Sequence, residues 1–425
     1  MLRPLDGSER RGIGAQTYQE TKFRVVAIVQ EYLEGRFAAG DDSNLDRLRD
    51  VISRTTATVL SGAGLALTAA EREQLKVDVF NEIRGLGPLE ALLTDTTVDD
   101  IIVNGADKVY VEREGVLTRT PVRFRDNSHL MNIVQRIVGP LGRRVDETSP
   151  FVDARLPDGS RVNVVIPPVA IDGPSISIRK FKRTPLTGHD LIRLGTMSEA
   201  MLEYLGTAVR SRANIMIAGG TGSGKSTLLN VLSSFISPTE RLVTIEDAAE
   251  LQLQQPHVVR LETRMANPDG NGEITARSIL RNTLRMRPDR ILVGEVRGGE
   301  AVEMLQAMTT GHDGSMTTIH ANSARDALSR LELLFGFGGL NVDLLTIRRQ
   351  IASAINVIVH LRRHARGHRR VVEVVEVAGF EENTILLNSI FEEAARSGSA
   401  GDFVRSTRRS IYSRPAESPA IGSGD

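Results

Sequence analysis

Helical periodicity governs the first part of the chain. Residues 1 to about 20 are polar and glycine-bearing, a composition that predicts disorder. From Lys22 onward, Phe23, Val26, Ile28, Val29, Leu33 and Phe37 follow helical spacing. A second run passes through Leu45, Leu48, Val51, Ile52 and Val59, and a third through Leu75, Val79, Phe80 and Ile83. The joints at residues 39–43 and 61–64 have the glycine, serine and aspartate content of loops. Residues 1–85 are therefore expected to form a helical module with a disordered start.

The period then shortens to two. Residues 99–103 make an apolar strand stopped at Asn104-Gly105, and residues 108–112 turn through Arg113-Glu114-Gly115 into residues 116–119, a hairpin. Residues 128–141 return to helical spacing, with Ile133, Val134, Ile137 and Val138 on one face. Pro157-Asp158-Gly159 places a turn between two further strands, and residues 175–179 alternate once more. Residues 86–184 thus predict a smaller α+β domain with a largely antiparallel sheet, followed by a linker at 185–189. Over 190–394, short apolar strands at 214–218, 241–245, 258–261, 290–293, 315–319 and 356–360 alternate with helical stretches. That rhythm predicts an α/β domain, a parallel sheet wound on both faces, with residues 370–377 as a last strand. The tail from 395 is rich in Ser, Gly, Arg and Pro and is expected to be disordered.

One stretch carries chemistry of its own. Gly219-Gly220-Thr221-Gly222-Ser223-Gly224-Lys225-Ser226 satisfies G-x-x-x-x-G-K-[ST] in full, between a predicted strand and a helix that begins at Thr227. Glycines allow backbone N–H groups to converge on a triphosphate, and the helix N-terminus adds favourable partial charge. Lys225 is placed to reach the β- and γ-phosphates and the Ser226 hydroxyl to ligate Mg²⁺, so the cofactors expected are ATP and Mg²⁺. A glycine turn with a solvated lysine would not need these flanks.

Charged residues at the carboxyl ends of parallel strands lie where ligands bind in such sheets. Glu246 and Asp247 end one strand, Glu295 follows Gly294 at another, and His320 ends a third. A Walker B strand normally ends in aspartate, whereas Gly294 stands there; Glu295 is then expected near the metal, orienting water or binding the hydrated ion. The pattern does not say which of Glu246 and Glu295 does which. A lone histidine is more often structural, yet His320 has a ligand-facing position; His312, in the preceding turn, is left open. Arg155, Arg161 and Arg179 in the smaller domain are candidates to neutralise γ-phosphate charge, as are Arg281, Arg285, Arg287 and Arg290, with surface ion pairing as the plainer alternative.

Composition narrows the field. The 425 residues carry zero formal charge, 40% apolar and 4% aromatic residues, and no tryptophan. A nucleic-acid-translocating motor would want a basic groove or stacking aromatics, so that reading ranks low, as does a nucleotide-gated scaffold that spares hydrolysis. No apolar run approaches the roughly 18 residues of a membrane span, and the charged start has no secretory core. The absence of cysteine excludes disulfides and cysteine-ligated metals, and is compatible with a cytoplasmic setting.

Four signals stand in one order: the P-loop, Ile245-Glu246-Asp247, Val293-Gly294-Glu295-Val296-Arg297, and Thr310-Gly311-His312 leading to Ile319-His320-Ala321-Asn322. The set resembles the type II/type IV secretion ATPases, with their Walker A, Asp, Walker B and His boxes. Leu284-Arg285-Met286-Arg287-Pro288-Asp289-Arg290, Arg297-Gly298-Gly299-Glu300-Ala301, Val103-Asn104-Gly105 and residues 142–147 and 153–163 are similar to the CpaF/TadA branch, which serves Tad (Flp) pilus assembly. The resemblance covers roughly 85–390. It implies a RecA-like ATPase domain, a homo-hexamer, and a cytoplasmic motor docked on inner-membrane platform proteins. It also implies hydrolysis that powers pilus assembly or export, with the segments bearing Arg155, Arg161 and Arg179 approaching the nucleotide.

Overall fold

Three helices open the described part of this computed structural model: α1 (Ala15–Glu34), α2 (Leu45–Gly62) and α3 (Ala69–Arg84). The structure describes residues 14–34, 45–113, 115–181, 185–264, 266, 271–339, 342–364, 367–394, 403–406 and 410–412. Val26, Val29, Leu48, Ile52, Val59, Leu75 and Val79 meet in their core, as the periodicity requires; Val25 joins them, whereas Ile28 of the expected face is exposed. The start of α1 differs from expectation. Residues 15–20 are helical because Tyr18 is buried and donates to Asp78 Oδ2 at 2.8 Å, an anchor hidden among polar neighbours. A Thr68/Glu71 capping box starts α3. The expected loop at 39–43, Phe37, the turn residue Glu114 and residues 1–13 lie outside the described residues.

After α4 (Glu90–Thr94) comes an antiparallel sheet of order β3-β2-β1-β6-β5-β4. Its strands are β1 (Asp100–Asn104), β2 (Val109–Arg113), β3 (Val116–Arg119), β4 (Phe151–Arg155), β5 (Arg161–Val165) and β6 (Ser175–Arg179). Helix α5 (Asn127–Val138), capped by Asp126, buries Leu130, Ile133, Val134 and Ile137 with Ile101, Val103, Val162, Val164, Ile176 and Ile178. The other face keeps Arg161, Asn163 and Arg179 exposed, the alternation of a half-covered sheet. Helices and sheet fall within one unit, Met1–Lys182. Glu82 of α3 helps join them: it takes the Lys22 ammonium at 2.7 Å and His129 Nε2 at 2.9 Å, and its carbonyl accepts from Arg136 at 2.7 Å.

The second unit, Arg183–Asp425, is built on one nine-stranded sheet of order β15-β14-β13-β12-β7-β11-β10-β8-β9. Its strands are β7 (Ile215–Gly219), β8 (Leu242–Glu246), β9 (Val258–Glu262), β10 (Arg290–Val293), β11 (Met316–Ile319), β12 (Val357–Arg363), β13 (Arg369–Glu381), β14 (Thr384–Glu393) and β15 (Phe403–Arg405). From β12 to β9 all pairs are parallel. Helices α7 (Glu199–Arg210) and α8 (Lys225–Ser233) contribute to the apolar cluster on one face, and α9 (Ala276–Thr283), α10 (Glu300–Thr309), α11 (Ala324–Gly336) and α12 (Leu344–Ala354) to that on the other. The fold is the expected α/β sheet.

Three details correct the sequence reading. Residues 188–189, expected in a linker, open α6 (Gly188–Arg193), because Thr187 and Asp190 form a capping box. The last parallel strand is followed by an antiparallel extension, β13 to β15, instead of one closing strand. Part of the tail expected to be disordered is held within it: β15 pairs with β14, and the Ser410 hydroxyl donates to buried Glu376, which also takes the Tyr204 hydroxyl at 2.9 Å. Three residues of strand are too short to show a period, and their pairing is backbone-driven. Residues 395–402, 407–409 and 413–425 of that tail lie outside the described residues.

Candidate nucleotide site

Strand β7 is buried throughout and ends at Gly219; Gly224, in a left-handed conformation (φ 98°), caps α8, which begins at Lys225. The P-loop therefore spans 219–226 as a strand–turn–helix. Lys225 is only 7% exposed, and its ammonium donates to the Gly220 carbonyl at 3.0 Å. The Ser223 N–H points to the same oxygen at 3.4 Å. Donors thus converge where a phosphate oxygen would be received. Ser226 and Thr227 lie half-buried in the first turn of α8.

Parallel register brings the other stations to this end of the sheet. Ala218 of β7 pairs with Ile319 of β11, Thr317 of β11 with Val293 of β10, and Val293 with Ile245 of β8. His320, Glu295 and Glu246 consequently share one rim. His320 Nε2 stands 3.3 Å from Lys225 Nζ and 3.2 Å from Glu295 Oε1. One ring nitrogen cannot accept from the cation and donate to the carboxylate at once, so the tautomer selects its partner. Partial burial and the Lys225 charge hold His320 below the usual imidazole range, against the pull of Glu295.

The two glutamates differ. Burial raises the proton affinity of Glu295, but the bonds and charge of Arg297, with His320 and Lys225, overcome it and hold the carboxyl below its ordinary value. Arg297 grips both oxygens, at 2.8 and 2.9 Å, and reaches Asp247 at 3.0 Å. Glu246 is 5% exposed and is pushed up by burial, even though the N–H groups of Glu250 and Leu251 donate to its Oε2 at 2.8 and 3.0 Å. Its buried Oε1 has no protein partner among the described residues.

Glu246 also explains the missing Walker B aspartate. A Cβ on Gly294 would come within 2.9 Å of Glu246 Cγ, so the neighbouring strand's glutamate occupies the space an aspartate would need. No group of three or more acidic or histidine side chains suited to a metal occurs among the described residues. A P-loop magnesium does not require one, since it relies on a hydroxyl, phosphates, water and one or two carboxylates. The Ser226 hydroxyl and Glu295 fit that demand, and the unpartnered oxygen of Glu246 is left free beside them.

A search of family models matches residues 82–412 to the type II/IV secretion system protein family. The chain belongs to that family. It is 40% identical over 299 residues to a putative conjugal transfer protein of Mycobacterium tuberculosis, covering 69% of this chain and 84% of the relative. It is 32% identical over 318 residues to the type IV secretion system protein VirB11 of Brucella suis, covering 68% and 88%. The solved pilus retraction motor PilT with bound ADP is similar in fold, with a TM-score of 0.50 and 20% identity over 69% of this chain and 82% of that one.

In the terms of this secretion family, three boxes meet at the P-loop rim and the fourth is divided. His320 is at the rim, whereas His312 precedes β11 at the opposite end of the sheet, where its carbonyl accepts from Ser315. Arg285 and Arg287 precede β10 at that far end and Arg290 opens it, buried in a two-bond pair with Glu240; Arg281 pairs with Glu303. Within the chain these arginines do not converge on the P-loop. The first unit assembles the other three. Arg155 opposes Arg161, and Arg161 opposes Arg179, a cross-strand row on β4, β5 and β6. Sequence reading missed Arg297 as a clamp on Glu295 and Arg369, whose Nε donates to the Gly222 carbonyl at 2.9 Å. The first could have been suspected from its i, i+2 spacing to Glu295; the second depends on strand register.

Proposed function

We propose that this chain is an ATP-hydrolysing motor of the VirB11-like secretion and conjugation type. The observation that carries the reading is the continuous polar contact from Lys225 through His320, Glu295 and Arg297 to Asp247, beside a buried Glu246 with one oxygen unpartnered. ATP fits along residues 219–227, with Lys225 moving from Gly220 to the β- and γ-oxygens. Mg²⁺, held by Ser226 and Glu295, supplies charge neutralisation on the phosphates. Glu246 is the better base, because its Oε1 is unpartnered and burial raises its proton affinity, whereas Arg297 occupies both Glu295 oxygens and holds that carboxyl below its ordinary value. It orients the water and takes its proton at Oε1 as the water oxygen bonds to the γ-phosphorus and the bridging bond to ADP breaks. His320, between Lys225 and Glu295, reports the loss of the γ-phosphate.

The row Arg155, Arg161 and Arg179 supplies positive charge to a nucleotide, in its own subunit or a neighbour's, within a homo-hexamer. The register that sets the three guanidinium-bearing residues in one cross-strand row supports this reading. On the family resemblance we place the motor in the cytoplasm, docked on inner-membrane platform proteins; no helix among the described residues is long and apolar enough to cross a membrane. Within this class we favour Tad pilus assembly, on the motif resemblance; the conjugal relatives support export more broadly. Purified protein should hydrolyse ATP with Mg²⁺, and Lys225→Ala should lower turnover by about 100-fold or more. Equal turnover in that variant removes the assignment. Loss of pili without loss of conjugation in a deletion strain checks the branch.

A further inference from the structure

The P-loop is flanked by a part of the fold that its motif does not announce. Strand β12 runs parallel to β7 through Leu361 opposite Gly219, and its last residues, Arg362 and Arg363, continue past the end of β7 beside the loop. In the β12–β13 hairpin, Arg363 directly opposes Arg369, and Arg362 opposes Arg370. A register shift between His360 and Leu361 interrupts the pairing just before these residues, a device that re-aims side chains near functional sites. The two faces then diverge. Arg370 turns to Glu393 at 3.0 Å and stacks over Phe403 at 4.3 Å. Arg369 and Arg363 turn to the P-loop: Arg369 Nε donates to the Gly222 carbonyl at 2.9 Å, and Arg363 Nη1 lies 3.1 Å from where a Cβ on Gly222 would sit.

The peptide plane makes this contact consequential. A trans peptide directs its C=O and its N–H to opposite sides. Holding the Gly222 carbonyl on Arg369 therefore directs the Ser223 N–H into the loop, where it and Lys225 now share the Gly220 carbonyl at 3.4 and 3.0 Å. Gly222 adopts a left-handed conformation (φ 67°), so this peptide has no strong intrinsic reason to stay in one orientation.

We propose that Arg369 is a positioning residue for nucleotide binding, which fixes the Gly222–Ser223 peptide with its N–H turned toward the phosphates, and that Arg363 backs the same turn with its charge. The proposal rests on the reading of residues 219–226 as the nucleotide site. It gives the antiparallel extension a task, since β13 carries the brace. A pre-set N–H favours bound ground state and transition state alike, so its loss appears in affinity and not in turnover.

The test uses the full chain with Mg-ADP binding, steady-state ATP hydrolysis and thermal unfolding. Arg369→Ala should weaken Mg-ADP binding and raise the ATP KM by about 10-fold each, with kcat within about twofold. Arg369→Lys keeps the charge but lacks the planar Nε–H and should show the same loss at an unchanged melting temperature. Wild-type affinity in Arg369→Lys would mean that charge alone suffices and would overturn the positioning role. A fall in kcat at unchanged Mg-ADP affinity would overturn it too, as would a loss that follows a lowered melting temperature in both variants. Absence of Mg-ADP binding by the wild type would instead defeat the site reading itself.

Discussion

Glu82 and Glu246 are equally hidden, 4% and 5% exposed, and their carboxyls behave oppositely. Desolvation acts on both. At Glu82 it is outweighed by His129 and Lys22, so the carboxyl is held below its ordinary value of 4.5. At Glu246 two backbone N–H groups do not compensate, one oxygen is left without a protein partner, and the carboxyl rises above 4.5. Burial by itself therefore does not mark a functional carboxylate; what matters is whether the fold completes its hydrogen bonds. The first region uses its glutamate as a joint between helix and sheet, and the second leaves one carboxylate oxygen without a partner.

That contrast can be broken by exchanging the charge at each site. Glu246→Gln should lower ATP hydrolysis by about 100- to 10,000-fold while leaving Mg-ADP binding near wild type, measured by steady-state turnover and titration. Comparable turnover in the variant would transfer the base role to Glu295. Glu82→Gln should do the reverse. It strands the Lys22 ammonium in the interior, costs about 3–5 kcal/mol in urea unfolding, and leaves kcat of the folded enzyme unchanged. A loss of kcat at unchanged stability would end the division between joint and catalyst.

The smallest and sharpest difference is in pH dependence. Glu82 has a lowered folded pKa, so its stabilising contribution is complete above about pH 4.5 and is lost as pH falls through the folded value. Glu246 has a raised folded pKa, so its favourable contribution belongs to the acid side and is lost as pH rises from 4.5 through the folded value. Urea unfolding of wild type and both variants between about pH 2 and 7 should show Glu82→Gln flattening the acid decline and Glu246→Gln gaining stability toward neutral pH. Parallel curves for the two variants would erase the distinction.

Much of this was legible without coordinates. The P-loop, its flanking strand and helix, and the strands that carry Glu246, Glu295 and His320 are local patterns of glycine, apolar runs and charge. The first-unit strands were legible too, because each turn carries its own signal at Asn104-Gly105 or Pro157-Asp158-Gly159. Less was visible where polar composition masked a single buried anchor, as at Tyr18, or where strands are held by backbone pairing, as in β14 and β15. The division of the His box was also hidden: His312 and His320 are close in sequence, yet a strand crossing the sheet separates their ends.

By itself, the sequence determined the strand–turn–helix around residues 219–226 and the strand ends that carry Glu246, Glu295 and His320, because a P-loop has a fixed local grammar of glycines, lysine and hydroxyl between a strand and a helix. Only the tertiary structure decided how those members differ. Gly294 is glycine because Glu246 from the next strand fills its space; the Glu295 carboxyl is held below its ordinary value because Arg297 grips it; and the Gly222 carbonyl is held by Arg369, 147 residues further along the chain. These are consequences of parallel register, which sets residues side by side across a sheet regardless of their distance along the chain.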